Sequence, residues 1–403
     1  MTIEHNDIII AGGGLAGMIS ALAFAQAGFN TVCIDPSPPI TDRADAGADL
    51  RTTAFLQPAQ AFLNELGLWD KLAGHATRLD VMRIIDAGGP DLPPVARVAK
   101  DFKSTELSDL PFGWNIPNWL SRRILLEAIN AQPNITFKTG LSCETLFTRD
   151  TEARVSLSDG VQHRAKLVIA ADGRHSKMRE QAGIDVTTTR FGQKALAFAV
   201  THPIPHENIS TEIHRSGGPF TLVPLPDHQG QPSSAVVWME SGTNATGLMS
   251  LSEKDFERAM TERSCSILGP LQLVTRRSVW PIIAQLAKRL SGQRVALIAE
   301  AAHVVPPIGA QGLNMSLTDI KTLRDLAVAA PDSLGSTDML DRYHTARYRD
   351  LQIRVQGITL LNKTSMVDLQ SLRDVRAAGL TALYALPKVR KTLMQMGLGA
   401  VYR

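Results

Sequence analysis

Tyrosine is scarce in this 403-residue chain, and the four present, Tyr343, Tyr348, Tyr384 and Tyr402, all fall near the C-terminus. Cysteine is scarcer still. Cys33, Cys143 and Cys265 stand far apart without metal-ligand spacing, so no cysteine-based metal site or disulfide framework is indicated and the thiols read as reduced and structural. An excess of one charge is missing too: the formal net charge of +3 is too small to imply a nucleic-acid partner. There is no internal repeat and no low-complexity stretch. Residues 8–29 carry no charge and are long enough for a membrane span or a signal sequence. Glu4, His5 and Asp7 ahead of them supply no basic flank, however, and three consecutive glycines would weaken a lone membrane helix.

What the chain does have is three separated segments that together could close on one dinucleotide. The first, from Ile8 to Gly17, reads as strand, tight turn and helix. Gly12 permits the turn, Gly14 lets the backbone approach a pyrophosphate, and Gly17 brings the helix against the strand, with Leu15 and Ala16 at the amide-bearing helix start. Asp35 closes the next strand about 20 residues on, where such folds hydrogen-bond a ribose diol. The second segment is Ala171-Asp172-Gly173-Arg174, at the carboxyl end of the apolar strand 167–170, the edge where open α/β sheets bind ligands. The third runs from Ala299 to Asn314. There a buried strand leads into Glu300, Pro306 and Pro307 stiffen a loop, Gly309 and Gly312 allow close approach, and Asn314 is expected to begin a helix.

Between these segments the pattern is mixed. A loop over residues 36–49 precedes Arg51, which opens what reads as a helical pattern through Leu66. Residues 81–109 read as strands and loops leaving the nucleotide domain, and Asn118 stands just ahead of an apolar helical face. Residues 135–137, 155–160 and 167–170 read as strands in a hairpin-like stretch. Residues 191–238 alternate apolar and polar runs, which indicates a second, mostly antiparallel sheet covering the first domain. His303 more plausibly packs locally than acts as an acid or base, and His202 and His214 are undecided.

Taken together, these residues resemble the class A flavoprotein aromatic hydroxylases, and within them the ubiquinone-biosynthesis hydroxylases that act on polyprenylated phenols. The likeness covers nearly the whole chain: Arg51-Thr52-Thr53-Ala54, Gly67-Leu68-Trp69, Asn118, Asp172-Gly173-Arg174, the loop from Pro306 to Asn314 and the run from Tyr343 to Arg349 fall in the expected order. It implies an α/β fold like that of p-hydroxybenzoate hydroxylase. A Rossmann-like FAD-binding domain would comprise residues 1–80, 105–185 and 285–335, an antiparallel substrate domain residues 81–104 and 186–284, and a C-terminal helical segment residues 336–403.

The resemblance further implies that Gly12, Gly14, Gly17 and Asp35 hold the ADP portion of FAD and that Arg51 and Asn118 line the flavin and pyrophosphate side. Asp172 belongs to a motif shared between FAD and reduced nicotinamide, and Leu313 and Asn314 offer amides to the isoalloxazine. Glu300 takes the place of the usual ribityl-binding aspartate, because Ala299-Glu300 stands where the family carries Gly-Asp. Pro307 and Arg51 would lie at the reacting edge. The implied reaction uses O2, with NADPH, NADH or a reductase as electron donor, to form a flavin C4a-hydroperoxide that hydroxylates the ring. It involves no metal, and no tyrosine or other side chain is identified as the base for the phenol. A related isoprenoid reductase or epoxidase, or a silent scaffold retained in a biosynthetic complex, are the alternatives. The tail after Arg376 mixes leucines and methionines with Lys388, Arg390, Lys391 and Arg403. That suits peripheral contact with the inner face of the membrane by a cytoplasmic protein, or contact with other ubiquinone-biosynthesis proteins, and a helix packed on the body explains it equally well.

Overall fold

The computed structural model describes residues 3–398, so Tyr402 and Arg403 of the tail lie outside the described residues. Ile8–Ala11 is an unbroken apolar strand, a pattern that suits burial on both faces. It sits inside a six-stranded sheet in the order 291–292, 295–297, 167–170, 8–11, 31–35, 135–139. All of its pairs are parallel except the antiparallel edge formed by Ser291–Gly292. The helix Leu15–Gln26 is buried from Ala16 to Ala25 and packs against the helix Gln311–Ala329. Ile135–Thr139, expected in a hairpin-like stretch, instead extends the parallel sheet beside Thr31–Asp35. The hairpin is made by Cys143–Thr148, Ala153–Leu157 and Gln162–Ala165, with Ile3–His5 alongside.

The second sheet has nine strands and is antiparallel except where Ile209–His214 runs parallel to Val81–Asp86. One of its faces, bearing Leu196, Phe198, Ile213, Phe220 and Trp238, packs on Phe256 and Met260 of the helix Glu253–Arg263. The opposite face contributes Ala195, Met239 and Ile282 to the main core beneath the nucleotide-binding sheet. A third, small sheet of Thr52–Leu56, Gly113–Pro117 and Thr77–Leu79 is tied to the nine-stranded one by Asn115, whose amide donates to the Pro224 carbonyl at 2.9 Å.

Two boundaries differ from the sequence expectation. Arg51 does not open a helix: Thr52–Leu56 pairs with Gly113–Pro117, and the helix Gln57–Glu65 starts only where Pro58 occupies its first turn. Asn314 does not begin its helix either, because Gln311 does. The Asn314 amide is one turn inside, donating to the Ala54 and Ala310 carbonyls and accepting from the Leu56 amide.

The C-terminal helices Thr337–Ser365, Gln370–Ala385 and Pro387–Leu398 lie against the body. Arg376 meets the buried Asp86 at 2.7 Å, the Tyr384 hydroxyl donates to the Asp101 carbonyl at 3.0 Å, and Arg390 pairs with Glu106 at 2.6 Å. Burial pushes the Asp86 carboxyl up, but hydrogen bonds from Arg376, the Gly88 amide and Arg97 outweigh it and hold the group below its ordinary value.

Candidate flavin site

Two helix starts define the site. At the first, a β-carbon on Gly17 would fall 1.8 Å from the Gly12 carbonyl oxygen, so only glycine lets this helix cross so close to the turn. Gly14 is the opposite case. It forms the N-cap with φ −67 and ψ 179, and a β-carbon there would meet nothing within 4 Å. No side chain caps this helix and no acidic residue stands in its first turn, so its amides and positive pole are left for an anion.

The second start, at Gln311, has the same properties. Gly309 and Ala310 both take left-handed conformations, with φ of 64 and 56, and turn the half-buried Pro307 loop into the helix. No side chain caps this helix and its first turn also lacks an acid. Gly312 is exposed and Leu313 half-buried, with no atom within 4 Å of a β-carbon built on Gly312. A diphosphate and the electron-rich edge of a flavin are the kinds of group that two such open poles stabilise, so the residues present fit FAD.

Asp35 is poised beside the first turn: its carboxylate accepts from the Gly13 amide at 2.6 Å and from the Ser37 amide at 2.9 Å. Gly13 has no role of its own in the sequence reading, yet a β-carbon there would come within 2.9 Å of both Asp35 and Phe137. Asp172 is occupied by the protein, accepting from the Ser176 hydroxyl and from the Met178 amide at the start of the helix Lys177–Gln181.

Arg51 and Asn118 do meet, through a residue that sequence reasoning passed over. Asp49 receives a two-pronged pair from Arg51 at 2.7 and 2.8 Å and a hydrogen bond from the Asn118 amide at 3.0 Å. Thr53 donates to the other end of Asn118 at 2.8 Å. Burial pushes the Asp49 carboxyl up, but hydrogen bonds from Arg51 and Asn118 and the charges of Arg51 and Arg122 outweigh it and hold it below its ordinary value. The Arg51 guanidinium lies 5.3 Å from the ring centre of Trp280 on the nine-stranded sheet, so it spans the boundary between the two sheets. The signal that could have found Asp49 is its place two residues before Arg51.

Glu300 keeps its carboxylate largely free: the side chain is 54% exposed and its one ionic contact among the described residues is Arg174 at 3.9 Å. Ala299 before it holds φ +54, a left-handed conformation that explains why a glycine at this position would be easier. His303 is buried and structural. Its Nε2 lies 2.7 Å from Asp319, which also pairs with Arg347 at 2.8 Å.

The FAD binding domain family matches residues 5–356 of the chain. The chain is 30% identical to ubiquinone hydroxylase UbiL of Rhodospirillum rubrum, over 98% of its own length and 90% of that protein. It is 27% identical to 3-demethoxyubiquinol 3-hydroxylase of Escherichia coli, over 99% of its own length and all of that protein. Its fold is similar to p-nitrophenol 4-monooxygenase PnpA of Pseudomonas putida, with a TM-score of 0.79 at 18% identity and full coverage of both chains. The PqsL structure of P. aeruginosa superimposes with a TM-score of 0.76 at 20% identity, covering 92% of this chain and 99% of that one. With the family model spanning most of the chain and the fold shared with such hydroxylases, the chain belongs to the FAD binding domain family and is an FAD-dependent aromatic monooxygenase of the ubiquinone-biosynthesis hydroxylase type.

Proposed function

We propose that this enzyme hydroxylates the aromatic ring of a quinone precursor bearing a polyprenyl tail, with O2 as oxygen source and reduced nicotinamide as electron donor. The bound FAD supplies the activation of O2 at its C4a position. Everything else falls to the chain. The helix starts at Leu15 and Gln311 hold the diphosphate and the negatively charged edge of the reduced ring, and Glu300 accepts from a ribityl hydroxyl. Arg51, fixed by Asp49 and stacked on Trp280, closes the side facing the substrate sheet, and Pro307 stiffens the loop over the reacting edge. The observation that carries this reading is the pair of uncapped, acid-free helix starts, one of them with Gly14 open on the side a ligand would take.

The substrate's tail gives the C-terminal helices a second role. Leu372, Val375, Leu383, Leu393 and Met396 are exposed on them and Leu369 and Leu386 at their ends, while Arg376 and Arg390 hold the helices down. An apolar outer face flanked by Lys388 and Lys391 suits the headgroup boundary of an anionic bilayer. No helix among the described residues is long and apolar enough to cross a membrane. The working experiment is turnover of 2-geranylphenol by the purified yellow protein with NADPH or NADH in air. A product heavier by one oxygen atom is expected. Reduction or epoxidation of the side chain would replace this reading by that of an isoprenoid reductase or epoxidase, and a protein that binds no FAD would support a silent scaffold.

A further inference from the structure

The face of the nine-stranded sheet turned toward the flavin domain is built mainly of small or apolar side chains. Along one row across it, the paired residues are Ala197, Val237, Thr221 and Glu212. Their strand neighbours Leu196, Trp238, Phe220 and Ile213 point the other way into the second core, so alternation puts Glu212 on the flavin side. Two strand spacings, about 10 Å, separate it from Val237, which packs against the main core. His214 lies two residues on and on the same face, its Nε2 2.7 Å from a Glu212 oxygen.

This pair is unusual for such a wall. Its side chains are only 16% and 13% exposed, and among the described residues no protein group other than the His214 imidazole reaches the Glu212 carboxylate. The His214 Nδ1 is buried with no partner. A carboxylate can only accept, so the imidazole contact occupies one oxygen and leaves the other without a protein donor. Nearby charges are engaged elsewhere: Asp86 with Arg97 and Arg376, and Lys100 over the ring of Tyr384. The helix Gln370–Ala385, which carries both Arg376 and Tyr384, also covers this edge of the sheet, and the Gln311 side-chain amide donates to the Gly397 carbonyl, linking the following helix Pro387–Leu398 to the flavin loop.

We propose that Glu212 is the catalytic residue that holds the substrate's phenolic hydroxyl and takes its proton, with His214 as the positioning residue that fixes the carboxylate. This rests on the aromatic hydroxylation described above. The phenol O–H donates to the free Glu212 oxygen. As the ring attacks the electrophilic oxygen, electron density leaves the phenolic oxygen, its proton becomes far more acidic than a carboxylic acid, and it passes to Glu212. The new C–O bond would form as the O–O bond of the activated oxygen breaks, its electron pair leaving with the departing oxygen; the ring carbon left tetrahedral then loses its own proton, which neutralises that departing oxygen, aromaticity returns, and Glu212 gives its proton back to the ring oxygen. No proton is released on balance and the carboxylate is regenerated. A carboxylate is therefore a sufficient base, and no tyrosine relay is required.

The test compares wild type, E212Q and E212D holoenzymes on two probes. One is 2-geranylphenol; the other is a ring-difluorinated 2-geranylphenol assayed above its own pKa, so that it arrives without the proton. On the first probe E212Q should lose about 100-fold or more in kcat/KM and E212D less. On the ionised probe E212Q should equal or exceed wild type, because no proton needs removing and a like charge has been deleted. FAD content and thermal unfolding should not change. Equal losses on both probes, no loss on the first, or an E212Q protein that unfolds or releases FAD would each overturn the assignment while leaving the hydroxylase reading intact. A wild-type enzyme that hydroxylates neither probe would overturn both.

Discussion

Gly14 offers the cleanest separation of cofactor binding from folding. Its backbone, at φ −67 and ψ 179, is open to any L-residue, and a β-carbon there touches no protein atom within 4 Å. Substitution by valine should therefore alter the stability of the apoprotein by only about 1 kcal/mol, the scale of a changed N-cap. The same side chain would stand in front of the helix amides and displace the diphosphate from at least one charge-assisted hydrogen bond, a loss of about 1.5–3 kcal/mol, or roughly 10- to 150-fold in FAD affinity. Fluorescence titration of apoprotein with FAD measures the second quantity and urea unfolding of apoprotein the first. Gly17→Ala is the control. Its β-carbon would overlap the Gly12 carbonyl, so fold and FAD should be lost together. A Gly14→Val protein that binds FAD as tightly as wild type would mean that the diphosphate does not lie at this helix start.

Ala299→Gly should stabilise the protein by about 1 kcal/mol by relieving the left-handed alanine, read as a higher urea midpoint at constant slope; an unchanged midpoint would show no strain there. Arg376→Ala should cost about 1.5–3 kcal/mol, because the buried Asp86 loses one charge-assisted hydrogen bond while keeping those from Arg97 and the Gly88 amide. Because the Asp86 carboxyl is held below its ordinary value of 3.8, the stability it contributes is complete above that pH and is lost as pH falls through the lower folded value. Acid unfolding curves of Asp86→Asn should be flatter below pH 3.8, and parallel curves would contradict the sign. Replacing the exposed Leu386 and Met396 with Glu should weaken binding to phosphatidylglycerol vesicles while FAD is retained, and unchanged vesicle binding would show that this face does not meet lipid.

The parts of the site legible in the sequence are those written in consecutive residues. The turn from Gly12 to Gly17, the strand leading to Asp172 and the Pro306 to Gly312 loop are local devices whose spacing carries their geometry. The strand after Arg51 reads as helix in the sequence because its apolar residues recur near helical spacing, while its conformation is set by pairing with Gly113–Pro117, about sixty residues away. The glycines before Asn314 suggest a loop running up to it, yet the left-handed turn is completed at Gly309 and Ala310 and the helix begins at Gln311, one turn earlier. Asp49 joins Arg51 to Asn118 across a distance no local pattern records. His214 is undecided in the sequence and Glu212 carries no signal there, because a two-residue period says that they share a face but not which face; the register with Thr221 and Val237 supplies that. The C-terminal helices showed basic and apolar residues in the sequence, but only their partners separate Arg376 and Arg390, which dock on the body, from the outward leucines.

The most direct measurement is a reaction of the FAD-loaded enzyme with 2-geranylphenol and reduced nicotinamide under 18O2, with the product analysed by mass spectrometry. One 18O atom in each hydroxylated ring is the expected result. Product oxygen derived from water, or nicotinamide consumed and hydrogen peroxide formed with the phenol recovered unchanged, would contradict hydroxylation of a prenylated ring at this site.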